Sequence, residues 1–443
     1  MTGTIFALAT SSGRAGIAVL RVSGPGAGAA IAALTRRPVP PARRASLRRL
    51  ADPWGGDVLD DALVLWFPGP NSFTGEDVAE FHIHGGSAVV AGVSEVLGLL
   101  PGCRLAQAGE FTRRAFENGR LDLTEVEGLA DLIAAETAAQ RRQALRQLDG
   151  ELGALYEGWR ARLIRVLGHA EADIDFPDED LPHGLAAAIR PEIEALAAEI
   201  ERHLDDGRRG ERLREGLSIA IIGAPNAGKS SLLNRLARRD AAIVSATAGT
   251  TRDVIEIHLD LGGYPVVIAD TAGLRDSGDD IEAEGVRRAL ARAKAADLKL
   301  AVFDAAAWPG VDAATAALVD DDTIVVLNKI DLGQSKTAPM PDGRPVVAVS
   351  ALTGAGVEVL LSAIEREAAR RLNVSVSPVL TRARHREALE GCEAALRRGL
   401  VAGLPELAAE DLRLAARSLG RITGRVGVED ILDVVFREFC IGK

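Results

Sequence analysis

The apolar run LSIAII at 217–222 passes directly into Gly223-Ala224-Pro225-Asn226-Ala227-Gly228-Lys229-Ser230, and an amphipathic stretch follows at once. A strand with no polar face is buried on both sides, so it belongs inside a parallel sheet covered by helices. The glycine spacing lets backbone N–H groups close round phosphate oxygens at the N-terminus of the next helix. Lys229 is placed to reach β/γ oxygens and Ser230 to reach Mg2+. This junction commits the middle of the chain to a doubly wound α/β domain that binds a nucleoside polyphosphate.

Three further segments follow in the order such a site requires. Asp270-Thr271-Ala272-Gly273 ends the strand VVIAD, which aims a carboxylate at the metal's water shell. Asn328-Lys329-Ile330-Asp331 follows TIVVLN, and Asp331 can accept two hydrogen bonds from guanine N1–H and its exocyclic amine, which adenine does not offer. Ser350-Ala351-Leu352 would close over the base. Between them, SATAGTTRD (245–253) reads as a switch segment in which Thr251 ligates Mg2+ and senses the γ-phosphate. Leu274 stands where many GTPases carry a water-orienting glutamine, so another group must do that work. Glu282, at the start of the helical run IEAEGVRRALARA, is the nearest plausible carboxylate; it either orients the water or simply opens its helix under the helix dipole.

The flanks differ from this middle. Residues 1–118 alternate β-type runs (16–24, 61–70, 78–86) with Gly/Pro punctuation and a helical stretch near 87–100, an α+β pattern. From about Leu121 a helical period runs to the acidic break DFPDED at 175–180, and a second helix covers roughly 184–206. Helical stretches near 381–399, 405–419 and 428–438 are too few for a separate core, so they pack on the helices of 121–206. The reading is multidomain: an N-terminal α+β domain (1–118), a split all-helical domain (119–213 and 371–443) and an inserted P-loop GTPase domain (214–370).

The net charge is −11, yet residues 1–118 carry 11 basic against 10 acidic groups and 371–443 carry 12 against 10. The acidity lies in the middle, so a nucleic-acid partner must use local basic patches at the two ends. Cys103, Cys392 and Cys440 are widely spaced and suit reduced thiols rather than a disulfide framework. No apolar run approaches a bilayer span, and no basic residue precedes Arg14, so a cytoplasmic protein is expected.

The combination of GAPNAGKSS, TAGTTRD, DTAG, SFTGEDVAE, GEFTRRAFENGRLDL and the terminal Cys440-Ile441-Gly442-Lys443 closely resembles the MnmE (TrmE) family of tRNA modification GTPases, over essentially the whole length. The resemblance implies a folate-binding-like N-terminal domain that makes a homodimer, and a K+-stimulated GTPase working by G-domain dimerisation. Its partners would be tRNA and MnmG, an FAD- and NADH-dependent protein in a heteromeric complex. The implied chemistry places a one-carbon unit from 5-formyl- or 5,10-methylene-tetrahydrofolate on C5 of a wobble uridine.

Carried over residue by residue, the GTP contacts are Asn226, Ala227, Gly228, Lys229, Ser230 and Ser231, then Ser245, Ala246, Thr247, Ala248, Gly249, Thr250 and Thr251. Asp270, Thr271, Ala272, Gly273, Asn328, Lys329, Asp331, Ser350, Ala351 and Leu352 complete that set. K+ would be held by Asn226, Ser245, Thr247 and Thr250, and Mg2+ by Ser230 and Thr251. Glu282 would orient the water indirectly. Arg21, Glu80, Arg120 and Lys443 are the implied folate contacts, Arg120 standing where the family often has Lys. Cys440 is implied in the chemistry; the other reading is an apolar helix-end cysteine that buries its sulfur.

Other readings compete. A ribosome-assembly switch explains the G domain but leaves the N-terminal domain and CIGK without purpose, and a folate-dependent transferase would make the G domain merely regulatory. Gly24-Pro25-Gly26-Ala27-Gly28-Ala29 formally matches a dinucleotide fingerprint but lacks the acidic residue about 20 positions on. His82 and His84 share a strand face without a third metal ligand. His-Gly-Gly-Ser at 84–87 has no nucleophile elbow to serve. Arg36, Arg37, Arg43, Arg44, Arg48 and Arg49 form a basic stretch that either touches tRNA phosphates or lies solvated in a loop.

Overall fold

The computed structural model describes residues 3–175, 185–239, 242–243, 256–270, 291–332, 340, 343–373, 378–426, 432, 435–437, 439 and 441–442, with 185–188, Ile243 and Asp270 known by backbone alone. The chain divides into two compact units. One comprises Met1–Ala130, Gln147–Pro177 and Pro405–Lys443; the other comprises Asp131–Arg146 and Asp178–Leu404.

The first unit is built on a six-stranded sheet in the order β3-β4-β5-β2-β1-β6. Its strands are β1 (Thr4–Leu8), β2 (Ala15–Ser23), β3 (Ser46–Ala51), β4 (Val58–Phe67), β5 (Val78–Gly85) and β6 (Cys103–Leu105). All pairs are antiparallel except β1 with β6. Strict alternation along β2 and β5 puts Ala18, Leu20, Val22, Ala79, Phe81 and Ile83 on one face, where α1 (Ala27–Thr35) and α2 (Ser87–Leu99) cover them. The opposite face carries Arg21 and Glu80, which are direct register partners. Part of that face is covered by α3 (Glu110–Glu117), whose Phe111 packs with Ile5, Ala7 and Ala106.

Strands β1, β3 and β6 lie outside the runs expected from the sequence. Arg48 and Arg49 consequently belong to edge strand β3 rather than to a loop, and Arg49 pairs with Asp61 across the β3–β4 ladder. Charged side chains on an edge strand discourage pairing with another chain.

The helical run expected from Leu121 is interrupted twice, at sites written in the sequence. Asp122 and Glu125 cap the start of α4 (Leu123–Ala134) reciprocally, each carboxylate accepting the other's backbone N–H. Thr137 and Gln140 repeat the arrangement at α5 (Ala138–Leu148). Helix α6 (Glu151–Asp175) packs in the first unit against a later helix, Pro405–Thr423, tied by Thr423 to Glu157 at 2.7 Å and Arg413 to Glu171 at 3.0 Å. Val435, Phe436 and Phe439 then pack with Leu123 and Val126. Ile441 bridges to Ala108, and Gly442, at φ +100°, lies so close to the Leu8 carbonyl that a side chain there would collide with it. The end of the chain therefore lies against β1.

The second unit holds a seven-stranded sheet in the order β13-β12-β11-β7-β10-β9-β8. Here helix α8 (Arg209–Glu215) precedes β7 (Leu217–Ile222), and the other strands are β8 Ala242–Ile243, β9 Glu256–Leu261, β10 Tyr264–Asp270, β11 Leu298–Asp304, β12 Thr323–Asn328 and β13 Val346–Ala348. The five strands from β13 to β10 are parallel, and β8 and β9 run antiparallel at one edge. Apolar residues of β7 face both layers, Ile219 and Ile221 toward one core and Ala220 and Ile222 toward the other. This is the doubly wound sheet expected for 214–370. Helix α7 (Leu185–Leu204) packs with Ala383–Val401, where Arg386 donates to Asp206 at 2.8 Å, Glu211 at 3.1 Å and the Leu204 carbonyl at 2.9 Å. Among the described residues no helix is long and apolar enough to cross a membrane.

In the first unit Arg114 is 2% exposed and bridges Glu76 (2.9 Å) and Glu110 (3.1 Å). Burial pushes the Glu110 carboxyl up, but hydrogen bonds from Arg104, the Gln107 amide and Arg114 outweigh it and hold the group below its ordinary value. A lowered carboxyl stabilises the fold above its unfolded pKa, and that contribution is lost as pH falls through the native value. Arg114→Met should therefore destabilise the α3 region by about 3 kcal/mol at neutral pH, because two carboxylates lose a buried partner. The difference from the parent should shrink below about pH 4. Hydrogen exchange of the α3 amides across that range measures both.

Candidate functional sites

At the carboxyl edge of the second sheet, β7 ends at Ile222 and the loop 223–228 turns into α9 (Lys229–Ala237). Gly223 passes beneath the Val302 carbonyl and Gly228, at φ +94°, abuts the Asn328 amide; neither place has room for a side chain. Asn226 also takes a left-handed conformation, φ 62°. Lys229 Nζ donates to the carbonyls of Gly223 (2.9 Å) and Ala224 (3.0 Å), which holds the ammonium across the loop. Ser230 and Ser231 occupy the first turn of α9. Backbone amides at a helix start, one ammonium and a hydroxyl form a cradle for a polyphosphate.

Asn328 joins this loop to the base side. It is 1% exposed, its Nδ2 donates to the Ala227 carbonyl at 2.9 Å, and its Oδ1 accepts the Ala351 amide at 3.0 Å. The Ser350 hydroxyl donates to one carboxylate oxygen of the exposed Asp331 and accepts the Thr353 amide at 3.0 Å. Asp331 is thereby oriented while keeping acceptor capacity for two adjacent N–H donors, the pattern of a guanine edge. Gly228, Ser231, Asn328, Lys329, Asp331 and Leu352 line a pocket of about 450 Å³, a volume suited to a nucleotide.

Two supporting residues escaped the sequence reading. Asp304, at the end of β11, pairs with Lys329 Nζ at 2.7 Å. That hydrogen bond, with another from the Ala306 amide, holds the Asp304 carboxyl below its usual range. Arg235 of α9 donates to the carbonyls of Ala351 and Leu352 and braces the segment over the pocket. No motif marks either position, because each acts through a partner distant in sequence.

In the first unit, Arg21, Glu80 and Arg120 line one pocket of about 340 Å³ with Phe67, Phe73 and Arg43. Arg21 Nε meets Glu80 Oε1 at 3.0 Å, and its guanidinium lies 5.5 Å from the Phe73 ring centroid and 5.8 Å from that of Phe111. His82 approaches Glu80 at 3.3 Å, and His84 approaches Asp60 at 2.7 Å. The Gly24–Gly26 turn packs on Thr4, whose hydroxyl accepts the Gly26 amide at 2.7 Å.

Ser245, Ala246, Thr247, Ala248, Gly249, Thr250, Thr251, Thr271, Ala272, Gly273, Glu282, Cys440 and Lys443 lie outside the described residues, as does the side chain of Asp270. Asp270 itself closes β10, beside β7. Among the described cysteines, Cys392 is buried and burial pushes its thiol up to about 12; Cys103 is half-buried and is also raised by burial.

Residues 123–440 match the family description "MnmE helical domain", and residues 4–120 match "GTP-binding protein TrmE N-terminus". The chain is 62% identical to the "tRNA modification GTPase MnmE" of Paramagnetospirillum magneticum, covering all of both proteins. It is 61% identical to the protein of that name from Parvibaculum lavamentivorans, over 99% of this chain and all of the relative. The human "5-taurinomethyluridine-[tRNA] synthase subunit GTPB3, mitochondrial" is 52% identical over 99% of this chain and 93% of its own.

Replacing Asn328 by alanine removes both of its bridges and leaves the Ala227 carbonyl and Ala351 amide without partners. A loss of about 2 kcal/mol of stability and at least about tenfold in guanine-nucleotide affinity is expected. Asp304→Ala should weaken guanine-nucleotide binding while leaving the melting temperature nearly unchanged, since both Asp304 and Lys329 are partly exposed. Fluorescent-nucleotide titration with thermal melting separates the two effects.

Proposed function

The chain belongs to the MnmE family of tRNA modification GTPases, and on that premise we propose how its residues divide the work. It is a GTP hydrolase that serves tRNA modification. The reading rests on one observation above all: the buried Asn328 amide ties the phosphate loop to the segment over the Asp331 base site.

In this arrangement Asp331 accepts the guanine donors, and Ser350, Ala351 and Leu352 close over the base. Lys229 moves from the Gly223 and Ala224 carbonyls onto β/γ oxygens as GTP arrives. Ser230 lies in the first turn of α9, a position suited to Mg2+; Thr251 would be the second ligand, and the Asp270 carboxylate would serve the metal's water shell. Asn226, in its left-handed turn, is suited to hold K+ together with Ser245, Thr247 and Thr250. Held there, a monovalent cation would supply the positive charge that an arginine finger supplies elsewhere. Glu282 takes over the orientation of water that Leu274 cannot provide. G-domain dimerisation would complete the site.

We assign residues 1–118 to folate binding and dimerisation, 119–213 and 371–443 to the helical domain, and 214–370 to the G domain. The Arg21–Glu80 pair beside Phe73 suits a reduced folate: the carboxylate faces a pterin's donor edge, the rings stack, and cations meet the glutamate. Lys443 is assigned to folate, and Cys440 to the chemistry, on membership of the family. Leu47 and Leu63 are register partners and both exposed, which supports a second copy of the chain as homodimer partner. Redox chemistry would come from MnmG, and the product would be a C5-modified wobble uridine in cytoplasmic tRNA. Relatives that match along the whole chain favour this reading over a ribosome-assembly switch.

Lys229→Ala should abolish GTP hydrolysis and tRNA modification together. Hydrolysis should run at least about tenfold faster in KCl than in NaCl, and equal rates would remove the K+ assignment. Calorimetry with 5-formyltetrahydrofolate should show binding by the intact chain, sharply weakened by Glu80→Gln or by removal of Cys440 to Lys443. Binding indifferent to both changes would place folate elsewhere.

A further inference from the structure

The N-terminal pocket has a directional charge pattern. Its inner end is the Arg21–Glu80 pair, with side chains 24% and 18% exposed, above the buried Ser72 and Val78. Its mouth carries two exposed arginines, Arg43 and Arg120. Arg21 is already paired with the carboxylate, so two cations remain at the exit. A donor-rich ring edge directed to Glu80 leaves the acidic tail of the same ligand pointing outward, past Arg43.

Arg43 is held in this place by its surroundings. Its backbone is left-handed at φ 58°, and its amide donates to the Trp66 carbonyl at 2.8 Å. Its guanidinium lies 5.7 Å from the Phe67 ring centroid and donates to the Asn71 carbonyl. Other arginines of the basic stretch are engaged elsewhere: Arg36 donates to the Asp52 carbonyl at 3.1 Å, and Arg49 pairs with Asp61 at 3.0 Å. Arg37 and Arg44 stay exposed on the segment that leads to and from Arg43. The basic stretch is thus not one patch: one member, Arg43, reaches the pocket.

We propose that Arg43 begins an exit track for the γ-linked oligoglutamate tail of a reduced folate, so that this pocket selects polyglutamylated over monoglutamylated forms. The inference rests on the folate reading above. Each added glutamyl unit brings one further carboxylate, and a guanidinium fork, charged at all physiological pH values, meets it bidentately. An exposed contact of this kind contributes modestly and is screened by salt.

Calorimetry on the full-length protein with 5-formyltetrahydrofolate carrying one glutamate, and again with four, tests it. At low salt the tetraglutamate should bind about fivefold more tightly, and the preference should fade near 1 M salt, where the Debye length is about 3 Å. Arg43→Ala should bring the ratio of the two affinities to about one, Arg43→Lys should keep part of it, and Arg43→Glu should invert it. The ratio is internal to each variant, so a general loss of stability does not reproduce the result. Equal affinities in the parent protein overturn the tail contact and leave the folate site standing; no binding of either form overturns both. A ratio untouched by Arg43→Ala, with weakened tRNA retention instead, overturns the proposal in favour of an RNA contact.

Discussion

The nucleotide site depends on one buried side-chain amide. Asn328 sits at the end of β12 with its donor on the Ala227 carbonyl and its acceptor on the Ala351 amide. A buried amide left unsatisfied is costly, so both bonds are present together or the loops separate. Three loops from the same sheet edge are thereby fixed to one another. The Ser350–Asp331 and Lys329–Asp304 contacts hang from that frame, and so does the spacing between phosphate cradle and base.

The first unit reaches similar rigidity by different physics. There a buried guanidinium, Arg114, is shared between Glu76 and Glu110. It ties the segment carrying Ser72, Phe73 and Thr74 to α3, which carries Phe111. Such a triad adds little net stability over an apolar replacement, because desolvation offsets much of the attraction. What it enforces is geometry: a wrong register would bury uncompensated charge. The pocket of Arg21, Glu80 and Phe73 lies beside this constraint.

Charge is used locally against an unfavourable global field. The chain is acidic overall, with 52 Lys and Arg against 63 Asp and Glu, so polyanions gain nothing from its long-range potential. Recognition must come from groups at contact distance. The N-terminal pocket is lined by three arginines, whose forked geometry suits carboxylates and phosphates better than an ammonium does. The phosphate loop relies instead on Lys229 and the backbone amides at the start of α9.

The amino-acid sequence by itself determined the parts whose physics is local. The strand-loop-glycine-helix junction at 217–230, the base-side segments at 328–331 and 350–352, and the capping pairs Asp122/Glu125 and Thr137/Gln140 are readable because partners lie a few residues apart. Arg21 and Glu80 are each named only through resemblance, and that they are register partners, 59 residues apart, was decided by the fold. Tertiary structure alone decided the rest. The short strands β1 and β6 have too few residues to announce themselves; β1 is held by pairing with β2, and β6 by pairing with β1 across about a hundred residues. Edge strand β3 exists because β4 offers its free side. Asp304 and Arg235 have unremarkable sequence neighbours, and nothing local marks Arg114 within GEFTRRAFENGRLDL for its bond to Glu76 or Arg43 within the basic stretch for its place at the pocket. Each acquires its role from a group that only the folded chain brings within hydrogen-bond reach, and such contacts follow the closure of long loops, which no local pattern encodes.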